Sequence, residues 1–458
     1  MSFKVICKFA FNVKDHCNAY RDKMLPAITV QLQAERNCVL TSLYRQKQAR
    51  NFSKQFSSRA FERKHVQTVR CFRLPEKTLQ LKNTICRNAS TYLKKNYSES
   101  VIEDATLDFT GMARKYNYPV EEHTVHTSDG YVLQLHRLAQ PHGKPVFLMH
   151  GLLDSSDTWI IQGPKAGLGY YLHDQGYDVW LGNARGNFYS RNHFEKCPKK
   201  SAFWDFSWHE IGCNDLPAMI DYVLEKTAHK QLAYFGHSQG TTVFFVMASM
   251  RPEYNSKVWL MSALAPVAYM SQMKTPMEAF IRSLAFLRED SAFEILPRNN
   301  SWKFLFSTKT TESWFVKFMY DYLGGHDGMW NPARLPAIAA HSSSGASIKQ
   351  LRHYFQLKDS MNFCQYDYGK ERNIERYGSA EPPLYPLEKI TAPIALYYAQ
   401  NDPLSAIADV RTLIAELPNV FKDHMFPDKQ WGHVSMLWGD CARNLAHKHM
   451  VEILRKCE

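Results

Sequence analysis

The chain has 458 residues, of which 45% are hydrophobic, 13% aromatic and 22% charged, a profile that excludes collagen, coiled coil and global disorder. The net charge of +12 is uneven: residues 1–100 hold 20 Lys/Arg against 6 Asp/Glu, a local +14, which leaves −2 for the remainder. The longest apolar stretch, Val258 to Met273, is broken by Ser262, Pro266 and Ser271 and closed by Lys257 and Lys274, so no transmembrane segment is expected.

The basic segment 1–100 shows no sustained period of 2 or 3.6. Val5 to Val13 is its apolar stretch near the start. Lys8 and Asn12 interrupt it and no small-residue cleavage site follows, so it does not read as a secretory signal. The segment is expected to be a poorly ordered basic extension. A transit-type targeting segment, a nucleic-acid-binding arm and a stretch standing in for a signal peptide are the other readings the residues leave open. The near-neutral remainder argues against nucleic acid as a partner of the whole protein. The ten cysteines form no C-x-x-C pair and no His/Cys metal spacing, so no metal site and no disulfide scaffold are expected. One or two bridges stay open in an oxidising compartment.

From Asp104 onward the texture changes. Val132, Leu133 and Leu135 follow the turn Ser128-Asp129-Gly130 and predict a short strand. Apolar runs then recur: Pro145 to Met149, Tyr177 to Leu181, Leu232 to Phe235, Val258 to Leu264, Ile394 to Ala399 and Phe421 to Phe426. Runs apolar on both faces are the pattern of parallel strands. Between them, Asp215 is expected to cap a helix with Pro217 in its first turn. Thr241 to Met250 is apolar nearly all round and predicts a deeply buried helix. The alternation predicts an α/β class with a doubly wound, mostly parallel sheet.

Residues 270–386 break that alternation and predict a helical insertion between two sheet strands. Trp314, Phe315, Phe318, Met319, Tyr322 and Leu323 form one apolar helical stripe, ended by Gly324-Gly325. Met277, Phe280, Ile281, Leu284 and Leu287 form a second. Core packing explains most residues of such stripes, but an insertion that caps an active site also lines an apolar substrate pocket, for which Trp314, Phe315 and Phe318 are the candidates. The division is therefore 1–100 extension, 101–269 first part of the core, 270–386 cap or lid, and 387–458 second part of the core.

Gly236-His237-Ser238-Gln239-Gly240 matches G-x-S-x-G, with a strand run before it and the buried helical run after it. In a nucleophile elbow the serine sits on a strained turn where side chains at the glycine positions would clash. A serine hydroxyl needs a base and an orienting acid, in the order Ser, Asp/Glu, His for this fold. Asp402 lies in the turn after Ile394 to Ala399, and His433 lies in a loop after the last strand run. Asp409 falls on the next helix, His424 inside a strand, and His447 and His449 on the terminal helix, so they are weaker choices. Ser238 is assigned as nucleophile, His433 as base then acid, and Asp402 as the group fixing the His433 tautomer. The oxyanion donors expected are the backbone N–H groups of Gln239 and of Leu152, in the loop after Pro145 to Met149. His150 and His237 stand next to these positions as supporting residues rather than bases.

Longer motifs accompany these residues: DGYVLQLHRL (129–138), HGLLDSS (150–156), GNARGNFYSRNH (182–193), FWDFSWHEIGCNDLPAMIDYVL (203–224), GHSQGTT (236–242), HSSSGAS with HYFQ (341–356), QYDYG (365–369) and YAQNDPL (398–404). In these the chain resembles the acid lipases of the α/β-hydrolase fold, the group of lysosomal acid lipase, gastric lipase and insect lipases, from about Thr106 to about Ile453. The resemblance implies an ester hydrolase acting on neutral lipid esters at a lipid–water interface, with no metal or organic cofactor. It places the functional residues on Ser238, Asp402, His433, Leu152 and Gln239, the helical lid on 270–386, and the protein in a secreted or lysosomal setting. Three departures stand out. The basic 100 residues occupy the place of the family's signal peptide, Ser435 stands where the family commonly has an Asp, and HSSSGAS lacks the lid proline. Asn51, Asn88, Asn96 and Asn299 start N-x-S patterns. A carboxylesterase of short soluble esters is the alternative enzyme, to which the large Trp-, Phe- and Met-rich insertion is opposed. A catalytically dead lipid-binding protein is the alternative outside enzymes, to which the filled triad is opposed.

Overall fold

The apolar runs pair into one sheet. The computed structural model describes residues 76–274, 278, 282, 291–325 and 330–458. The chain divides into two units, Met1–Thr91 and Tyr92–Glu458. Of the first, the described part is helical, within a helix that runs Glu76–Asn96.

In the second unit the strands are β1 (Val120–His126), β2 (Tyr131–Leu138), β3 (Pro145–Met149), β4 (Asp178–Gly182), β5 (Asn192–His193), β6 (Leu232–His237), β7 (Val258–Leu264), β8 (Glu294–Ile295), β9 (Ala346–Ser347), β10 (Ile394–Tyr398) and β11 (Val420–Met425). The main sheet has the order β1-β2-β4-β3-β6-β7-β10-β11, with β5 on β2. Strands β4 to β11 in that order are parallel, while β1 and β2 are antiparallel. The α/β expectation holds, and its predicted runs fall on these strands. Strand β1 was missed because Val125 alone of its seven residues is buried, so it carries no apolar run.

Both faces of the sheet are covered, which is why the central strands read as unbroken apolar runs. Along β6, Leu232 and Tyr234 enter one core while Ala233 and Phe235 enter the other. Along β3, Phe147 and Met149 divide from Val146 and Leu148 in the same way. Each such fully buried large side chain contributes roughly 1.5–3 kcal/mol. The helix Gln239–Met250 is buried at every position but its last, as its all-round apolarity predicts.

Two readings are corrected. Asp215 does not cap a helix. Ser207 and Glu210 form the capping box at Trp208, and the helix continues through a π turn, Ile211–Asp215, into Leu216–Thr227. Asp215 has helical angles, φ −69° and ψ −52°, and its buried carboxylate accepts from Arg185 N (3.0 Å) and Nε (2.7 Å). Arg185 also donates to Asp129 at 2.6 and 2.9 Å and stacks over Tyr131. Three separate motifs thus meet in one ion cluster around the buried Arg185 guanidinium.

The second correction, to the absence of period, concerns only positions 76–100, because the expected basic extension lies outside the described residues up to position 75. Besides Glu76–Asn96, a helix Glu99–Asp104 is capped by the Ser98 hydroxyl. Leu93 is buried, and the Tyr92 hydroxyl donates to Glu312 at 2.7 Å. Polar residues around these few anchors hid the period.

Between β7 and β10 lie β8 and β9 and the helices Trp302–Leu305, Lys309–Leu323, Leu335–His341, Ile348–Ser360 and Lys370–Tyr377. The helix over 314–323 forms as predicted and stops at Gly324, which takes a φ of +71°. The second apolar stripe, Met277 to Leu287, lies outside the described residues. No helix among the described residues is long and apolar enough to cross a membrane.

Candidate active site

The chain runs from β3 to β4 on one side and later returns to β6 on the other. Open α/β sheets bind ligands outside the carboxyl ends of the strands at such a switch, here the ends of β3 and β6. The elbow stands at the end of β6. Ser238 has φ +53° and ψ −118°, a conformation that costs a non-glycine residue roughly 1–3 kcal/mol. Its N–H is held by Leu264 O at 2.9 Å, and its carbonyl accepts from Thr241 N at 2.8 Å. The glycines have steric reasons. A Cβ at Gly236 would lie 2.6 Å from Gly240 O, and one at Gly240 would overlap the Met149 carbonyl. The helix Gln239–Met250 begins at the next residue, so its N-terminal N–H groups and positive dipole end face the serine.

Asp402 and His433 come from the loops after β10 and β11. His433 Nδ1 is 2.8 Å from Asp402 Oδ2 and 3.0 Å from Oδ1. Asp402 Oδ1 also accepts from Leu404 N (2.9 Å) and Ser405 N (2.8 Å), so the carboxylate is fixed before it meets the imidazole. Nδ1–H donating to the carboxylate leaves Nε2 as the basic nitrogen. Both residues are buried. The rejected candidates lie elsewhere: His424 and His449 pack on each other at 4.3 Å with their rings tilted by 35°, His447 bonds Met436 O, and Asp409 accepts from Ser271 and Gln272.

The neighbouring histidines support backbone. His237 Nε2 is 2.9 Å from His433 O, which ties the loop of His433 to the residue before Ser238. Burial lowers the His237 pKa to about 3, with the nearby His433 adding to the shift, so it is a neutral donor. His150 bonds Gly151 O through Nδ1 at 2.7 Å and accepts from Ala184 N through Nε2 at 3.1 Å. Burial lowers it to about 4. It anchors the loop carrying Leu152. That loop abuts the elbow, since a Cβ on Gly151 would lie 3.2 Å from Ser238 Cβ. Leu152 and Gln239 thus flank Ser238 from two elements.

The insertion reaches this site. Gln239 Nε2 donates to Gln350 Oε1 at 2.7 Å, Tyr354 OH to Thr242 Oγ1 at 3.1 Å, and Ser344 N to Leu153 O at 2.9 Å. His353 stacks on Trp208 at 3.6 Å. The three pocket candidates do not share one face. Phe315 is buried against Phe306. Trp314 is 58% exposed and stacks on the half-buried Phe318, which meets Tyr322 at a tilt of 50°. Missed by the sequence reading was Asp154, whose carboxyl burial pushes up to about 7; nothing in the motif HGLLDSS signals that burial. Ser435, at the position of the family's Asp, accepts from Gly432 N at 2.7 Å and so shapes the base loop. Among the described residues no cluster suits a metal ion.

Residues 109–163 match the family described as partial alpha/beta-hydrolase lipase region, and residues 144–440 match the alpha/beta hydrolase fold. Lipase 1 of Drosophila melanogaster is 40% identical over 78% of this chain and 82% of its own length. Bovine gastric triacylglycerol lipase is 34% identical over 77% of this chain and 92% of its own. Human lysosomal acid lipase/cholesteryl ester hydrolase is 32% identical over 78% and 93%. With these likenesses over most of its length, the chain belongs to the α/β-hydrolase family, in its lipase branch, and is an ester-hydrolysing enzyme.

Proposed function

We propose that the enzyme cleaves carboxylic esters of neutral lipids, triacylglycerol or sterol ester, through an acyl-enzyme on Ser238. The observation that carries this reading is the Asp402–His433 pair, tied through the His433 carbonyl to His237, the residue before a strained serine. His433 Nε2 takes the Ser238 proton as Oγ attacks the ester carbonyl, and returns it to the leaving alcohol. Water then repeats the sequence on the acyl-enzyme. Asp402 holds the tautomer and stabilises the imidazolium. The N–H groups of Leu152 and Gln239 stabilise the tetrahedral oxyanion.

Segment 270–386 is read as the cap over this site, and two relatives named for triacylglycerol and cholesteryl ester chemistry support a lipid substrate. The outer row Trp314, Phe318 and Tyr322, at i, i+4 and i+8, supports contact with a lipid surface. Relatives named gastric and lysosomal support a secreted or lysosomal setting. The test is hydrolysis of p-nitrophenyl esters and of emulsified triacylglycerol by wild type and Ser238→Ala. Rates rising from acetyl toward octanoyl, with activity on the emulsion, support the lipase. A maximum at acetate without emulsion activity assigns the enzyme to short soluble esters. Ser238→Ala retaining more than about a tenth of the rate removes the serine from the mechanism.

A further inference from the structure

The base loop follows β11, which pairs on one side only and has alternate residues exposed. An edge strand gives the catalytic histidine little lateral support, yet its position must be held closely. The end of the helix Lys309–Leu323 supplies what the sheet does not. The N–H of His433 donates to Leu323 O at 2.6 Å. With His433 O bonded to His237, both backbone groups of the histidine are engaged, one by the insertion and one by the elbow. Leu323 O belongs to the last turn of a 15-residue helix, where carbonyls lack intrahelical partners and the dipole end favours positive charge nearby.

Gly324 fills the space between the two catalytic loops. Its φ is +71°, and a Cβ on it would overlap Asn401 O, the residue before Asp402. A Cβ on Gly432, the residue before His433, would in turn overlap Gly324 itself. Asn401 Nδ2 lies 3.3 Å from both Gly325 O and Gln430 O, and Asn401 N donates to Trp431 O at 3.0 Å. The loops of Asp402 and His433 and the helix end are therefore packed backbone against backbone at Gly324, with the Asn401 side chain bridging the helix end to the His433 loop.

We propose that Leu323 and Gly324, the carboxyl end of the insertion's helix, are positioning residues that set the His433–Asp402 geometry, so that this helix is a fixed part of the catalytic apparatus rather than a lid that swings away. The helix anchors agree: Phe315 and Met319 are buried, and Glu312 bonds Tyr92. A helix removed from this place would take the His433 bond and the Gly324 spacer with it. The inference rests on the Ser238–His433–Asp402 reading, which Ser238→Ala tests by itself.

The experiment is Gly324→Ala beside Gly378→Ala. Gly378 has φ +72° and ψ 8°, a milder left-handed conformation than Gly324 at ψ −178°, and no atom within 4 Å of its would-be Cβ, so it carries a positive φ without the contact. For Gly324→Ala, kcat on a short soluble ester should fall about 100-fold while KM changes by less than about threefold, the signature of misplaced catalytic groups. The rate of Ser238 phosphonylation should fall in parallel, and the downfield Nδ1–H proton signal of His433 should shift. Gly378→Ala should lower thermal stability and leave all three readouts in place. If Gly324→Ala keeps kcat and only loses stability, as Gly378→Ala does, the proposal is overturned. Should Gly324→Ala not fold, Asn401→Ala carries the test: a drop of about tenfold in kcat with KM held supports it, and an unchanged kcat overturns it.

Discussion

Asp402 grips His433 Nδ1 with both carboxylate oxygens, at 2.8 and 3.0 Å, although the two residues sit on loops after different strands. Replacing the carboxylate by an amide keeps the shape but offers Nδ1 a donor on one side. Asp402→Asn should therefore lower kcat by about 10⁴-fold with an unchanged far-UV spectrum. Combined with Ser238→Ala it should add nothing further, because the three groups act as a unit. Steady-state kinetics on a soluble ester check both statements.

The cluster of Arg185 with Asp129 and Asp215 is a stability element. Asp215 is fully buried and Arg185 nearly so. Removing Asp215 takes away the fully buried partner and leaves the buried guanidinium with the more exposed Asp129 alone, so Asp215→Ala should cost about 3 kcal/mol in chemical denaturation. A loss below about 1 kcal/mol would mean that water reaches the guanidinium.

Asp154 gives a pH dependence with a definite sign. Burial raises its folded pKa to about 7, against desolvation-free carboxylates near 3.8. Between those values the unfolded chain releases a proton that the fold retains, so the fold is progressively penalised as pH rises from about 4 to about 7, and the penalty is constant above. Asp154→Asn removes the ionisation. Its melting temperature relative to wild type should therefore rise on going from pH 4.5 to pH 8. A difference independent of pH would refute the buried titration.

The body extends upstream of residue 101. The Ser98 cap, buried Leu93 and the Tyr92–Glu312 bond all precede it. A chain beginning at Tyr92 should keep wild-type kcat on a soluble ester. One beginning at Val101 loses the cap and these contacts, and should melt several degrees lower, since each cap or partly buried bond contributes about 1 kcal/mol. Scanning calorimetry of the two truncations compares them directly.

The outer aromatic row predicts a difference between substrates. Trp314→Asp exposes a carboxylate where a lipid surface would rest, and should cut activity on emulsified triacylglycerol far more than on p-nitrophenyl acetate. Phe315→Asp should unfold or destabilise the protein instead, because Phe315 is buried. Equal losses of Trp314→Asp on both substrates would remove the row from surface binding.

The central strands, the strained turn at Ser238 and the nearness of Asp402 to His433 were legible in the sequence alone, because each rests on local chemistry. Strands buried on both faces need apolar runs, a serine on a strained turn needs Gly236 and Gly240, and Asp402 and His433 lie where strands end. What it could not decide is what long-range packing decides. Asp215 sits before Pro217 like a cap, yet it serves Arg185, because a buried guanidinium outweighs a local preference. Trp314 and Phe315 are adjacent and equally apolar, but helix geometry turns one outward and the other into the core. Leu323 and Gly324 read as an ordinary helix stop. Only the folded chain brings that stop against Asn401 and Gly432, where the absence of a Cβ lets three backbones meet beside the catalytic histidine.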